Sequence, residues 1–406
     1  MISSARAPVV CGRGMNKKTV RDIDVHGKRV LLRVDFNVPV NDAGEITDDS
    51  RIRLSLPTIG YLREHGAAVI ACSHFGRPDG KAVEKYRLTA MRKRLSELIG
   101  SAVVDAGGPG GPGPGSVARD LKPAQVALLE NLRFDPGEEA NSPAFAQSLA
   151  SLADVYVDDA FAAAHRAHAS VSGVARHLPA VAGLLMAREI EMLGAALDSP
   201  ARPAVAVVGG AKVADKLQVL THLAGRVDVI LVGGGMVAAF LRAAGHSGGS
   251  TQVTAAEVQA ARDLLGSLSP LVHIPRDVVV APSFSADAPA RVVDDDNVPQ
   301  HTLVMDIGPV TRRAYASEIA RARSVIWNGP MGVFEWPQFA EGTRAVAQAI
   351  AANRHAITVV GGGSTAEAVE KLGIRDKFTH VSTGGGASLE FLEGKILPGV
   401  AALLDA

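Results

Sequence analysis

The 406-residue chain has only two cysteines, Cys11 and Cys72. Two thiols in no metal-binding spacing exclude a disulfide framework and fit a reducing compartment. Aromatic residues make up only 4%, and the formal net charge is +0. With few rings to stack on bases and no excess of positive charge, nucleic acid is not an expected partner. No apolar run reaches membrane-spanning length, and the opening stretch MISSARAPVVCGRGMNKK has no apolar core followed by a small-residue cleavage site. No membrane association is expected, the cytoplasm is the expected location, and residues 1–16 read as an arm ahead of the organised part.

What the chain does have is 42 glycines, 22 prolines and many short runs of Val, Ile and Leu. In the first half the runs are Val30–Val34, Ala67–Cys72, Val126–Leu129 and Val155–Val157. In the second they are Ala204–Val208, Val227–Val232, Thr302–Met305, Ser324–Trp327 and Ile357–Val360. Apolar runs that end in Gly, Asp, Asn or Ser and are followed by amphipathic stretches predict parallel strands covered by helices. A chain of this length divides into two cores by default. The segment Gly183–Leu197 predicts a helix, and Asp198–Pro203 breaks it, so the junction is placed there. A second helix is expected after Gly209-Gly210, with Val213, Leu217, Leu220 and Ala224 on one face and Gly225 as its stop. The Gly- and Pro-rich stretch Gly107–Ser116 is expected to be an exposed loop.

Four glycine runs recur in the second half: Gly209-Gly210, Gly233–Gly235, Gly361–Gly363 and Gly384–Gly386. Glycine lets backbone approach a ligand, and a helix starting there offers free N–H groups to an anion. None of the runs is a P-loop or a complete dinucleotide fingerprint, so a different nucleotide-holding arrangement is implied. Lys212 and Lys216, four residues apart on the expected helix, are placed to clamp a polyphosphate. The first half ends its strands in cations and turn residues: Asp35 and Asn37 after Arg33, His74 and Arg77, Arg133, then His165, Arg166 and His168, with Arg51 nearby. Arginine forks suit phosphate and carboxylate oxygens. Singly, His74 and His165 read equally well as structural residues and His168 more readily so, while Arg77 and Arg133 read less readily as strand-end salt bridges; together they read as a site for a small anion.

The blocks RVDFNVP, SHFGRP, ENLRF, HRAH, GGAKVADK, WNGPMGVFE and STGGGASLE occur in an order and spacing that resembles the phosphoglycerate kinase family, from about Asp22 to the carboxyl terminus. The resemblance implies an α/β protein of two Rossmann-like three-layer domains with mostly parallel sheets, joined by a hinge helix. Residues 17–185 would bind 3-phosphoglycerate, with 393–406 packing back onto them, and residues 186–392 would bind the nucleotide. It further implies reversible phosphoryl transfer between ATP and the carboxylate of 3-phosphoglycerate, giving 1,3-bisphosphoglycerate and ADP in glycolysis. Catalysis would come from charge neutralisation and domain closure in a monomer, with Mg2+ accompanying the nucleotide. By motif, Asp35, Asn37, Arg51, His74, Arg77, Arg133 and Arg166 match the acid-substrate site, and Arg51 and Lys212 match the catalytic cations. Lys212, Lys216, Gly308, Asn328, Glu335, Gly362, Gly363, Ser364 and Thr365 match the nucleotide site.

The chain departs from the family pattern in two places. Ser364 stands where the family has an aspartate that helps to hold magnesium, so no metal ligand is assigned, and Ala162-Ala163 stand where it has Gly-Thr. The first departure also admits a catalytically idle relative. A carboxylate acceptor is already ionised at neutral pH, so a site rich in cations and without a general base is what this chemistry requires.

Overall fold

The computed structural model describes residues 16–109 and 113–406. The chain divides into two units: residues up to Glu191 together with Ile396–Ala406, and Met192–Lys395. The division falls inside the helix Leu184–Asp198.

The first unit is built on a six-stranded parallel sheet in the order Val103–Asp105, Val126–Leu128, Ala68–Cys72, Arg29–Arg33, Val155–Asp158, Ala180–Ala182. Ala68–Cys72 and Val155–Asp158 are buried along their whole length, as strands covered on both faces must be. Chain order reverses at Arg29–Arg33, which pairs with Ala68–Cys72 on one side and Val155–Asp158 on the other. Such a reversal opens a crevice at the carboxyl ends of the strands. The last residues of the chain extend this unit: Leu404 N–H donates to Ala180 O at 2.9 Å, and Gly399 N–H to Ala164 O at 2.8 Å.

The second unit has a parallel sheet in the order His380–Val381, Ile357–Gly361, Ser324–Asn328, Ala204–Val208, Val229–Val232, Val272–His273. Its order reverses at Ala204–Val208, so the loops beginning at Gly209, Gly233 and Gly329 meet at one crevice. Trp327, fully buried in its core, donates from Nε1 to Gly329 O at 2.9 Å.

The α/β class with two mostly parallel sheets is borne out, with local corrections. Leu303–Ile307, expected among the parallel strands, lies in a separate antiparallel sheet with Asp277–Ala281 and Arg291–Asp294. The Gly/Pro stretch is not loop throughout: a helix spans Gly113–Asp120, with residues 110–112 outside the described residues. The helix expected from Lys212 begins only at Leu217, so Lys212 lies ahead of the preceding turn and Lys216 ends it, and the two are not on one helical face. Cys72 is a free buried thiol; Cys11 and the arm up to Met15 lie outside the described residues.

Candidate active site

In the first unit, four loops from strand ends bring cations together. Asn131 staples two of them. Its Oδ1 accepts from Phe75 N–H and Arg133 N–H at 3.1 Å each, and its Nδ2 donates to Phe75 O at 2.7 Å and Tyr86 O at 2.9 Å. Arg133, held in the short turn Leu132–Phe134, donates from Nη1 to Gly76 O at 2.7 Å and pairs through Nε with Glu139 at 3.0 Å. Gly76, at φ 61°, has no room for a side chain: a Cβ there would lie 2.3 Å from the Tyr86 ring. Its N–H donates to Asn37 Oδ1 at 3.0 Å. Arg166 donates from Nε to His165 Nε2 at 3.0 Å. Arg77 is exposed beside this group.

His74 is buried, and its proton affinity is held well below the ordinary histidine value, first by burial and then by the positive fields of Arg33, Arg133 and Arg166. The same crowding, led by burial, lowers Arg133. Glu139 beside Arg133 and the buried Glu138 offset part of this charge, and the arginine forks that remain suit the oxygens of an anion. His74 therefore enters the cluster as a neutral hydrogen-bonding group.

Arg51 sits in the first turn of the helix Ser50–Glu64, where the helix dipole disfavours a cation. Its partner is Asp35, a buried carboxylate that also accepts from Asn37 N–H at 3.2 Å. Arg51 keeps 40% of its side chain exposed.

In the second unit a cavity of about 710 Å³ opens at the crevice. Its lining includes Gly209, Gly210, Lys216, Asn328, Gly362, Gly363, Ser364 and Thr365, the apolar Leu303, Val304, Met305, Val333 and Phe284, and the carboxylate of Glu335. The glycines are there for proximity of backbone to backbone. A Cβ on Gly209 would lie 2.0 Å from Pro330 O, and one on Gly329, at φ 99°, 2.0 Å from Gly209 O. Asn328 is buried: its Oδ1 accepts from Lys216 Nζ, and its Nδ2 donates to Gly361 O at 2.9 Å. Burial lowers the proton affinity of Lys216, against the opposing fields of Asp215 and Glu393. Gly363 opens the helix Gly363–Lys371, whose first residues Gly363, Ser364 and Thr365 line the cavity together with Lys216, and a helix start offers N–H groups to an anion.

Of the sequence-expected nucleotide residues, Lys216, Asn328, Glu335, Gly362, Gly363, Ser364 and Thr365 line this cavity. Lys212 is exposed and outside the lining. Gly308 is not brought to the cavity: it precedes the helix Pro309–Arg321, packed against Asp277, whose carboxylate accepts from Val310 N–H and Thr311 N–H at 2.9 and 2.8 Å. Its glycine is needed because a Cβ would strike that carboxylate at 2.3 Å. The apolar slot residues and the fully buried Arg33 were not named among the candidates. Arg33 had a visible signal, a cation inside an apolar strand.

An anion receptor in one parallel α/β unit and a cavity of nucleotide size, walled by glycine, lysine and a helix start, in another define the class of two-domain phosphotransferases. The family model described as "Phosphoglycerate kinase" matches residues 20–395. The chain is 56% identical over 397 residues to the phosphoglycerate kinase of Roseiflexus sp. (strain RS-1), covering 97% of this chain and 100% of that protein. It is 55% identical over 399 residues to that of Chloroflexus aurantiacus, with the same shares. Among solved structures, phosphoglycerate kinase from Coxiella burnetii superimposes with a TM-score of 0.88 at 40% identity over 95% of this chain and 98% of that one. The enzyme from Pyrococcus horikoshii OT3 gives 0.82 at 36% over the same shares. The chain belongs to the phosphoglycerate kinase family, and it is a phosphotransferase.

Proposed function

We propose that the first unit's cluster binds 3-phosphoglycerate and the second unit's cavity binds ATP or ADP. A carboxylate oxygen of the acid attacks the γ-phosphorus of ATP, the bond to the bridging oxygen breaks, and ADP leaves with that electron pair. No proton has to move, since the nucleophile is already anionic. The protein's contribution is position and charge. Arg77, Arg133 and Arg166 hold the phosphate of the acid with His74 as a neutral donor, Asp35 and Asn37 take its hydroxyl, and Arg51 aligns its carboxylate. Lys216 and the start of the helix Gly363–Lys371 hold the nucleotide phosphates, Glu335 meets the ribose, and the apolar residues of the lining take the base. Lys212, free in solvent, meets the phosphoryl group in transit. Because each unit holds one substrate, transfer needs a motion that brings the two together and excludes water.

Magnesium belongs to this scheme as part of the nucleotide substrate. Glu335 is the one carboxylate among the cavity's lining residues, and Ser364 is a neutral hydroxyl in the first turn of a helix, an end that disfavours cations. Among the described residues no three acidic, histidine or cysteine side chains cluster to hold a metal. Nucleotide phosphates and water fit as its ligands. We further propose a monomer working in the cytoplasm; the low cysteine count supports that compartment. Among the described residues no helix is long and apolar enough to cross a membrane.

The observation that carries this reading is the gathering of Arg33 and Arg133 on the loop of His74: Arg33 Nη2 lies 3.1 Å from His74 Nδ1, and Arg133 Nη1 donates to Gly76 O at 2.7 Å. The test is turnover of Arg51→Ala and Lys212→Ala with both substrates saturating. Each should lose roughly 10²- to 10³-fold in kcat, as when one charge-stabilising donor is removed from a transition state. Nucleotide affinity should be unchanged in Arg51→Ala. Undiminished turnover of either variant refutes its assignment.

A further inference from the structure

Glu138 and Ser170 have no place in the scheme above, yet both are fully buried. Glu138 lies on the short helix Pro136–Glu139 that follows the turn carrying Arg133. An ionised carboxylate without solvent needs partners, and Ser170 supplies two: its N–H reaches Glu138 Oε2 at 2.9 Å and its hydroxyl reaches Oε1 at 2.6 Å. His168 Nδ1 stands 3.7 Å from the same Oε1. Having given its only proton to the carboxylate, the Ser170 oxygen accepts from Arg33 Nε at 3.0 Å. Arg33, 1% exposed, spends Nη1 on Val34 O and sets Nη2 3.1 Å from His74 Nδ1.

A guanidinium has donors and no acceptor, so His74 Nδ1 must accept. In a neutral imidazole the remaining proton is then on Nε2. We propose that Glu138 and Ser170 are positioning residues, which act through Arg33 to fix His74 as the Nε2–H tautomer and so present a hydrogen-bond donor to the bound anion. The inference rests on the reading of this cluster as the 3-phosphoglycerate site. It goes beyond it in assigning a task to two residues that contact no substrate. The order of donors is forced at each link: carboxylate accepts, hydroxyl donates and accepts, guanidinium donates, imidazole accepts. Without Ser170, Glu138 still offsets the charge of Arg33, but nothing ties Nε in place and the Nη2 contact to His74 loses its direction.

The test is ¹⁵N NMR of the histidine side chains in the full-length protein, with His74 assigned by its loss in His74→Gln, alongside initial rates for Ser170→Ala and Ser170→Thr. In the unsubstituted protein Nδ1 should carry no proton and Nε2 should carry one. Ser170→Ala should mix the tautomers and raise KM for 3-phosphoglycerate about tenfold, the scale of one hydrogen bond to a charged group, with KM for the nucleotide unchanged. Ser170→Thr, which restores the hydroxyl, should restore both. A proton on Nδ1 in the unsubstituted protein overturns the proposal, and that measurement needs no variant to fold. A fixed tautomer in a folded Ser170→Ala overturns it as well, whatever KM does. A tautomer that shifts while KM for the acid stays the same upholds the relay and overturns instead the assignment of His74 to the acid site.

Discussion

Replacing Gly209 by alanine tests the backbone crossing that walls the nucleotide cavity. The substitution adds one methyl group at a position whose φ does not demand glycine, so its effect is steric and not a matter of backbone strain. That methyl would lie 2.0 Å from Pro330 O, 2.7 Å from Gly329 O and 2.8 Å from Met331 Cε, where ordinary contact begins at 3.4 Å. Met331 can rotate, but the two carbonyls are main chain, so the loops must part by more than an ångström. Gly209 N–H donates to Asn328 O at 2.9 Å, and the Asn328 side chain holds Lys216 and Gly361, so the displacement reaches Lys216 in the cavity lining. Overpacking of this kind costs about 1–3 kcal/mol of stability. A misplacement of about 1 Å in a positioning element costs roughly 10²-fold in rate. We expect kcat/KM for the nucleotide to fall on that scale, and KM for 3-phosphoglycerate to change little because its residues lie in the other unit. Initial rates with each substrate varied in turn, together with denaturant unfolding, measure both. Wild-type kcat/KM for the nucleotide with unchanged unfolding free energy would refute the reasoning.

Asp158 is buried, and burial raises its pKa from 3.8 to about 7. Between these values the folded protein binds a proton that the unfolded chain releases, so this group's contribution to stability is greatest at low pH and is lost as pH rises from about 4 to about 7. Asp158→Asn removes that titration while keeping the shape of the side chain and the oxygen that accepts from Ala160 N–H at 3.0 Å. The variant should gain on the unsubstituted protein by on the order of 4 kcal/mol between pH 4 and 7; a difference in unfolding free energy that stays constant with pH refutes this. Ser364→Asp adds an anionic oxygen to the cavity lining and should lower the magnesium concentration needed for half-maximal turnover, read from a titration at fixed ATP. An identical titration curve would show that nucleotide phosphate and water already satisfy the ion.

Sequence alone carried the long-run features of this molecule. Ala204–Val208 was legible residue for residue, and Ala68–Cys72, Val126–Leu128 and Ile357–Gly361 to within one residue, because a strand buried on both faces must be continuously apolar. The glycine runs were legible as places of close approach, and the motif blocks placed the chain in its family. The short strands Val103–Asp105, Ala180–Ala182, Val272–His273 and His380–Val381 left no periodic signal; they exist because a neighbouring strand offers a ladder. Only tertiary structure decided that Gly308 packs against Asp277, that His74 is neutral, and that Arg33 is tied to Glu138 through Ser170. These outcomes depend on burial and on charges contributed from distant stretches of the chain. Apolar pattern and turn chemistry are local properties that a sequence displays directly, whereas a proton's location is set by the summed field of groups that only folding brings together.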